Sequence, residues 1–344
     1  MGRNSWKWWA LASLAGVWAL RRARAASLRE RVVLVTGGSR GLGLLLAREF
    51  GRRGARVAIC ARDAAELERA KSLLAAQRVT VLTAPCDVSQ PGQVRDLVTR
   101  VERELGPIEV LVNNAGTATV GPVEAMTEGD FAAAMSVHFW GPLHATMAVL
   151  PGMRARRWGR IVNICSIGGK VAIPHLVPYS ASKFALVGLS EGLRAELHKD
   201  GILVTTVCPG LMRTGSSAQA EFTGQPAAEH AWFSISDALP IFSMSAVRAA
   251  RQIAAACARG DAEVIPSWQA KLIALAHGVV PGVVADALGV VNRALPNAGP
   301  APRRARGMEA RSRWAPSRLT ALGDHAAERN NELPPGLLPP GMPH

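Results

Sequence analysis

An α/β architecture is expected for this chain of 344 residues: a single doubly wound parallel sheet of about seven strands with helices on both faces. Three observations point to it. Short Val-, Ile- and Leu-rich runs alternate with amphipathic stretches, as buried parallel strands and their crossover helices require. A glycine-rich turn joins the first such run to the first helical pattern. The remaining polar motifs fall at the carboxyl ends of strands, where open parallel sheets bind ligands.

Strands are expected near residues 32–36, 55–60, 79–84, 108–112, 160–165, 202–207 and 262–266, and helices near 42–53, 63–76, 90–105, 130–157, 179–199 and 245–258. The first strand, Arg31 to Val35, runs into Thr36-Gly37-Gly38-Ser39-Arg40-Gly41-Leu42-Gly43 and then the helical pattern Leu44 to Phe50. Glycines in such a turn let the backbone approach a diphosphate, and the helix that follows offers unpaired N–H groups and a positive dipole end. The spacing of Gly37, Gly41 and Gly43 departs from the G-x-G-x-x-G fingerprint.

Tyr179 is the only tyrosine, and Lys183 stands four residues after it. On a helix these positions share a face, so the ammonium is expected to favour the phenolate and to lower a pKa otherwise near ~10. Ser166 follows the strand Arg160 to Cys165 at the carboxyl end of the sheet. Taken alone, the Tyr179 and Lys183 spacing also fits a chance pair on a surface helix.

With Cys86-Asp87-Val88, Asn113-Asn114-Ala115-Gly116 and Pro209-Gly210-Leu211-Met212-Arg213-Thr214 added in order, residues 30 to 270 resemble a short-chain dehydrogenase/reductase. The resemblance implies a Rossmann-type fold in which Gly37, Ser39, Arg40, Gly41, Leu42 and Gly43 form the coenzyme turn. It implies that Asp87 and Val88 border the adenine, and that Asn113, Ala115 and Gly116 line the cleft. Pro209, Gly210 and Thr214 would lie near the nicotinamide. Tyr179 would give a proton to a developing alkoxide, Ser166 would hydrogen-bond the same oxygen, and Lys183 would also bind the nicotinamide ribose.

Charge favours NADP(H) as the coenzyme. Arg40 in the turn and Arg62 after the second strand offer planar pairing to a 2′-phosphate, whereas a carboxylate there would bind a ribose hydroxyl. Asp63 is the competing carboxylate, but at a helix start it suits a cap. His138 stands where many relatives carry an asparagine that holds a water leading to the lysine. A neutral imidazole can order the same water, or His138 can be a satisfied helix histidine. The expected activity is interconversion of a carbonyl and a secondary alcohol by hydride transfer. The alternative is a coenzyme-binding protein that has lost turnover and acts by interaction.

Phe222, Trp232, Phe233, Ile235, Leu239 and Phe242 lie in a stretch that closes over substrate in this family, so a lipid-, steroid- or ketoacyl-like substrate is expected. The aromatics can equally pack on the domain body. His175 and Pro178 are further candidate contacts. Relatives often form dimers or tetramers through helices that correspond to residues 130–157 and 179–199.

Four parts are expected: an apolar anchor and basic linker over 1–29, the catalytic domain over 30–267, an apolar helical extension over 268–295, and a disordered basic tail over 296–344. From Trp6 to Leu20 the chain is nearly apolar, and Arg21, Arg22 and Arg24 follow. Fifteen helical residues span about 22 Å, short of the ~30 Å hydrocarbon core, so an interfacial anchor on the cytoplasmic face fits better than a span. A cleaved signal ending at Ala23-Arg24-Ala25 is the runner-up.

The net charge of +14 is concentrated at the ends: residues 1–31 hold seven basic and one acidic side chain, and residues 296–344 seven and four. Basic ends suit a membrane surface, and no nucleic-acid recognition motif accompanies them. The five cysteines form no C-x-x-C pair and read as buried thiols in a reducing compartment. No cluster has metal-ligand spacing, so no catalytic metal is expected.

Overall fold

The computed structural model describes residues 25–310 and 312–333. The elements in chain order are β1 (Val32–Thr36), α1 (Gly41–Arg52), β2 (Arg56–Ala61), α2 (Ala64–Ala75), β3 (Val81–Pro85), α3 (Pro91–Leu105) and β4 (Ile108–Asn113). Next come β5 (Thr119–Val120), α4 (Glu128–Met135), a π-helical turn (Ser136–Trp140), α5 (Gly141–Ala155), β6 (Gly159–Ile164), α6 (Val177–Leu197) and β7 (Ile202–Val207). The last are β8 (Leu211–Arg213), β9 (Glu221–Gly224), α7 (Pro226–Ala238), β10 (Ser243–Ser245), α8 (Ala246–Arg259), β11 (Glu263–Val264), α9 (Trp268–Val279), α10 (Pro281–Asn292), β12 (Arg303–Arg306) and α11 (Ala321–Arg329).

Seven parallel strands form the central sheet in the order β11-β7-β6-β4-β1-β2-β3. Every residue of β1 is buried, and alternation decides which core each one joins: Val33 and Val35 pack with Phe50, Ile59 and Ile253, while Val32 and Leu34 pack with Leu97, Val101 and Met153 on the other face. Burial on both faces is why this strand reads as an unbroken apolar run. Strand order reverses between β1 and β4, which opens a crevice at their carboxyl ends. The glycine turn and the Asn113-Asn114 pair both end there.

The helix expected over 130–157 is interrupted at Ser136–Trp140, where π-helical turns widen the backbone around His138. Smaller pieces stand outside the central sheet. Strands β5, β9 and β12 form one sheet, and β8 pairs with β10.

The expectation of a disordered tail from residue 296 does not hold for residues up to 333. Strand β12 lies antiparallel to β9, with Arg303 opposite Gly224 and Arg306 opposite Glu221. Arg304 grips Asp130 with two hydrogen bonds of 2.7 and 2.8 Å. These partners are distant in sequence, so composition gives no sign of them. Helix α11 follows and packs on Gly215, where a Cβ would overlap Ala327.

Helices α9 and α10 occupy the extension and bury little. Trp268, Leu272, Leu275, Val279, Val283, Val290 and Val291 are all exposed. Among the described residues no helix is long and apolar enough to cross a membrane. The apolar stretch from Trp6 to Leu20 lies outside the described residues.

Candidate active site

The turn after β1 is held open by backbone geometry and by one asparagine. Gly37 and Gly41 have φ of +62° and +54°, which side chains other than glycine rarely adopt. A Cβ on Gly43 would overlap the Gly37 carbonyl. Asn114 Nδ2 donates to the carbonyls of Thr36 and Gly37 at 3.1 and 3.0 Å, tying the end of β4 to this turn. Thr36 Oγ1 accepts from the N–H groups of Asn114 and Ala115 at 3.0 and 3.1 Å. Such a cradle, with Leu42 buried beneath it, suits a diphosphate at the start of α1.

Asn113 faces the other way. Its side chain is buried and donates to Asn163 Oδ1 at 2.8 Å, and Asn163 continues to Ser190 and Thr206. The motif's first asparagine therefore braces the interior, and its second, to which the sequence reading gave no role, shapes the cleft. Gly116 lies against His138, where a Cβ would come 3.2 Å from Nε2.

After β3, Asp87 Oδ1 accepts from the Ser89 N–H and hydroxyl at 2.9 and 2.8 Å, and Val88 is buried beside Gly141. Ser39 and Arg40 both bond Glu66, at 3.0 and 2.6 Å. Arg62 is exposed and makes no hydrogen bond among the described residues. Asp63 caps α2 by accepting from the Glu66 N–H at 2.9 Å, as its position at a helix start suggests.

Ser166, Tyr179 and Lys183 meet beyond β6. The Ser166 hydroxyl accepts from the Gly168 N–H at 3.0 Å, and its side chain favours the ionised form of the Tyr179 phenol. Lys183 Nζ donates to the Ile164 carbonyl at 2.9 Å and lies 5.6 Å from the centre of the Tyr179 ring. The expected acidic phenol does not appear in this state. Burial pushes Tyr179 up to about 12, against a lowering by Ser166, and burial brings Lys183 down to about 8. The physical reason is desolvation: the buried phenolate loses its water, and the lowering by Ser166 does not offset that cost.

His138 is buried and uses both ring nitrogens. Nε2 accepts from the Thr117 N–H at 3.1 Å, which leaves the proton on Nδ1 to donate to Ser182 Oγ at 2.8 Å. Ser182 in turn donates to the Tyr179 carbonyl at 2.8 Å. Burial, then the Lys183 charge, hold the imidazole well below its ordinary pKa. His138 thus positions the start of α6 and has no nitrogen left for a water.

Thr214 is buried beside the glycine turn, its Oγ1 accepting from the Ser216 N–H at 3.2 Å. The Pro209 carbonyl accepts from Ile167 N–H at 2.8 Å, which fixes the loop carrying Ser166. Gly210 packs on Ser267 and Ala270.

Next to Tyr179 is a cavity of about 370 Å³ whose walls include Thr117, Thr119, Asp130, Pro178 and Arg304. The wall is more polar than the aromatic-rich stretch suggests. Phe222, Phe233 and Trp232 instead pack together in an apolar cluster with Val120 and Leu176, which Tyr179 borders, while Phe242 is exposed. His175 is also buried, its Nδ1 2.9 Å from Glu229, so of the two further candidates only Pro178 reaches the cavity.

Residues 31–223 match the short chain dehydrogenase family. A protein named as a ketoacyl reductase of the granaticin polyketide synthase of Streptomyces violaceoruber is 39% identical over 185 residues, covering 53% of this chain and 68% of that one. Dehydrogenase/reductase SDR family member 7B of Bos taurus is 33% identical over 265 residues, covering 74% and 80%. A solved short-chain dehydrogenase from Streptomyces avermitilis superposes with a TM-score of 0.66 at 30% identity, covering 77% of this chain and 98% of that one. With the family match extending over β1 to β9, the chain belongs to the short-chain dehydrogenases, oxidoreductases that use a nicotinamide coenzyme on small carbonyl or alcohol substrates.

Proposed function

We propose that the protein is an NADP(H)-dependent oxidoreductase that interconverts a carbonyl and a secondary alcohol on a largely apolar substrate such as a ketoacyl chain. The observation that carries this reading is the meeting of Ser166, Tyr179 and Lys183 beyond the carboxyl end of β6, the same end of the sheet at which β1 runs into the Gly37 to Gly43 turn.

The nicotinamide supplies or accepts the hydride when bound. Everything else falls to the chain. The Gly41 N–H and the start of α1 hold the diphosphate, and Arg40 and Arg62 receive the 2′-phosphate. Ser166 already accepts from Gly168, so its own proton is free to stabilise the substrate oxygen. Tyr179 O–H gives its proton to that oxygen as negative charge develops there, and takes it back in the oxidative direction. Lys183 sits near enough to favour the phenolate once substrate and coenzyme order the cleft.

Tyr179, Pro178, Ala133 and Ala134 provide the apolar side of the cavity, which supports a chain-like substrate, and the Arg304 and Asp130 wall suits a polar end group. The ketoacyl reductase name of one relative supports the same class.

The reading places the protein on the cytoplasmic face of a membrane. The Trp6 to Leu20 stretch with its trailing arginines supports this, as do the exposed apolar faces of α9 and α10. Exposed Trp140, Met147 and Phe184 on the π turn, α5 and α6 support pairing of subunits through these helices.

The test is kcat/KM for NADPH and NADH on a panel of 3-ketoacyl thioesters and ketosteroids. A preference for NADPH that Arg40→Ala and Arg62→Ala reduce by about tenfold or more is expected. A clear NADH preference overturns the coenzyme assignment, and turnover of none of the panel overturns the substrate class.

A further inference from the structure

The chain's own tail already occupies the cradle. Beyond α11, residues Asn330, Asn331 and Glu332 are buried across the glycine turn. The Gly41 N–H, first donor of α1, donates to the Asn330 carbonyl at 2.8 Å. Asn330 Nδ2 donates to the Thr214 carbonyl at 3.0 Å. Asn331 Nδ2 donates to the Ser39 and Glu66 carbonyls at 2.9 and 3.1 Å, and Arg69 holds its Oδ1 at 3.0 Å. The Glu332 carboxylate fills the space above Gly41 that a Cβ would take, and Arg40 Nε lies 3.1 Å from its Oε2.

The Gly41 N–H and α1 terminus proposed for the diphosphate, and Arg40 proposed for the 2′-phosphate, are therefore all engaged. The N–H has an acceptor, the positive end of α1 faces a carboxylate, and Arg40 is shared between Glu332 and Glu66. The Glu332 carboxylate and the Asn330 carbonyl stand at the start of α1, where the diphosphate is proposed to bind. We propose that the cradle is a two-ligand site, taking either the coenzyme diphosphate or the Asn330-Asn331-Glu332 segment, so that the tail competes with coenzyme from within the same chain.

The latch is built to be displaced. Glu332 Oε2 is buried without an aligned hydrogen bond, and its contact with Arg40 is ionic only. Burial pushes this carboxyl up to about 7, with Arg40 pulling it down and Glu66 adding to the rise. Holding such a group is costly, so a diphosphate that brings more charge and more acceptors can take the place. These residues lie beyond the stretch that matches the family.

The inference rests on the coenzyme reading of the cradle, and binding measurements separate the two. Kd for NADPH and NADH would be measured, by quenching of intrinsic fluorescence, on three proteins: the full chain, a chain ending at Arg329, and the full-length double variant Asn331→Ala, Glu332→Ala. If the latch is closed nine-tenths of the time, both altered proteins bind coenzyme about tenfold more tightly, with kcat at saturation unchanged. The double variant keeps α11 and β12, which guards against misreading a folding defect. In the full chain, coenzyme should raise amide exchange at residues 330–333. Equal and measurable Kd values in all three proteins, or a tail that stays protected when coenzyme is bound, overturn the latch and leave the enzyme reading standing. A lack of coenzyme binding even in the shortened chain removes the coenzyme reading and the latch together.

Discussion

His138 Nδ1 donates to Ser182 Oγ at 2.8 Å, and the same hydroxyl donates to the Tyr179 carbonyl. The backbone of Tyr179 is thus fastened to a π turn one helix away. His138→Asn should leave any acid limb of the pH–rate profile between about pH 6 and 8 in place, because the buried imidazole stays neutral there. His138→Phe should cost about 1–3 kcal/mol of stability in denaturant titrations, since it strands the Thr117 N–H and the Ser182 hydroxyl.

Lys183 links pH to stability. Burial lowers its folded pKa to about 8 from the ordinary 10.5, so the unfolded chain binds the proton more readily. Stability of the coenzyme-free protein should rise as pH climbs from about 8 toward 10, and the penalty is present in full below 8. Lys183→Met should flatten that rise in thermal melts across pH while abolishing turnover. A slope unchanged in the variant would assign the titration to another group.

Gly43 allows no side chain. In Gly43→Ala the new methyl meets the Gly37 carbonyl and Asn114 Nδ2, so the cradle must open. A loss of about 2–3 kcal/mol by urea unfolding is expected, together with coenzyme binding too weak to measure.

Arg304 anchors the tail through Asp130. The two hydrogen bonds from Arg304 hold the Asp130 carboxyl at about 2, below its ordinary 3.8. A depressed carboxylate contributes stability above pH 3.8 that is lost as pH falls toward 2. Because Arg304 is 37% exposed, Asp130→Asn should cost only roughly 1–2 kcal/mol at neutral pH, and the difference from the parent should shrink in acid.

The central sheet was legible because β1, β4, β6 and β7 are largely buried and so appear as Val-, Ile- and Leu-rich runs followed by polar motifs. Asp63 as a helix cap was legible for a similar reason: its role is local. What escaped depends on partners far apart in sequence. The tail lacks periodicity, and its order comes from Arg304 on Asp130 and from Asn330 and Asn331 on backbone carbonyls more than a hundred residues away. Helical spacing puts Tyr179 and Lys183 on one face, and the ammonium lies 5.6 Å from the ring centre, but spacing alone could not show that Lys183 would bond the Ile164 carbonyl. Nor could the motif show that Asn113 turns inward while Asn114 turns toward the glycines.

Proton delivery by Tyr179 is the central claim, and single-turnover hydride transfer in Tyr179→Phe, followed at the nicotinamide absorbance, tests it most directly. Phenylalanine keeps the ring edge-on to His138 and beside the Val120 and Leu176 cluster and removes only the hydroxyl. A fall of about 100-fold or more, with coenzyme Kd unchanged, is the expected result. Transfer within about twofold of the parent protein would contradict the account.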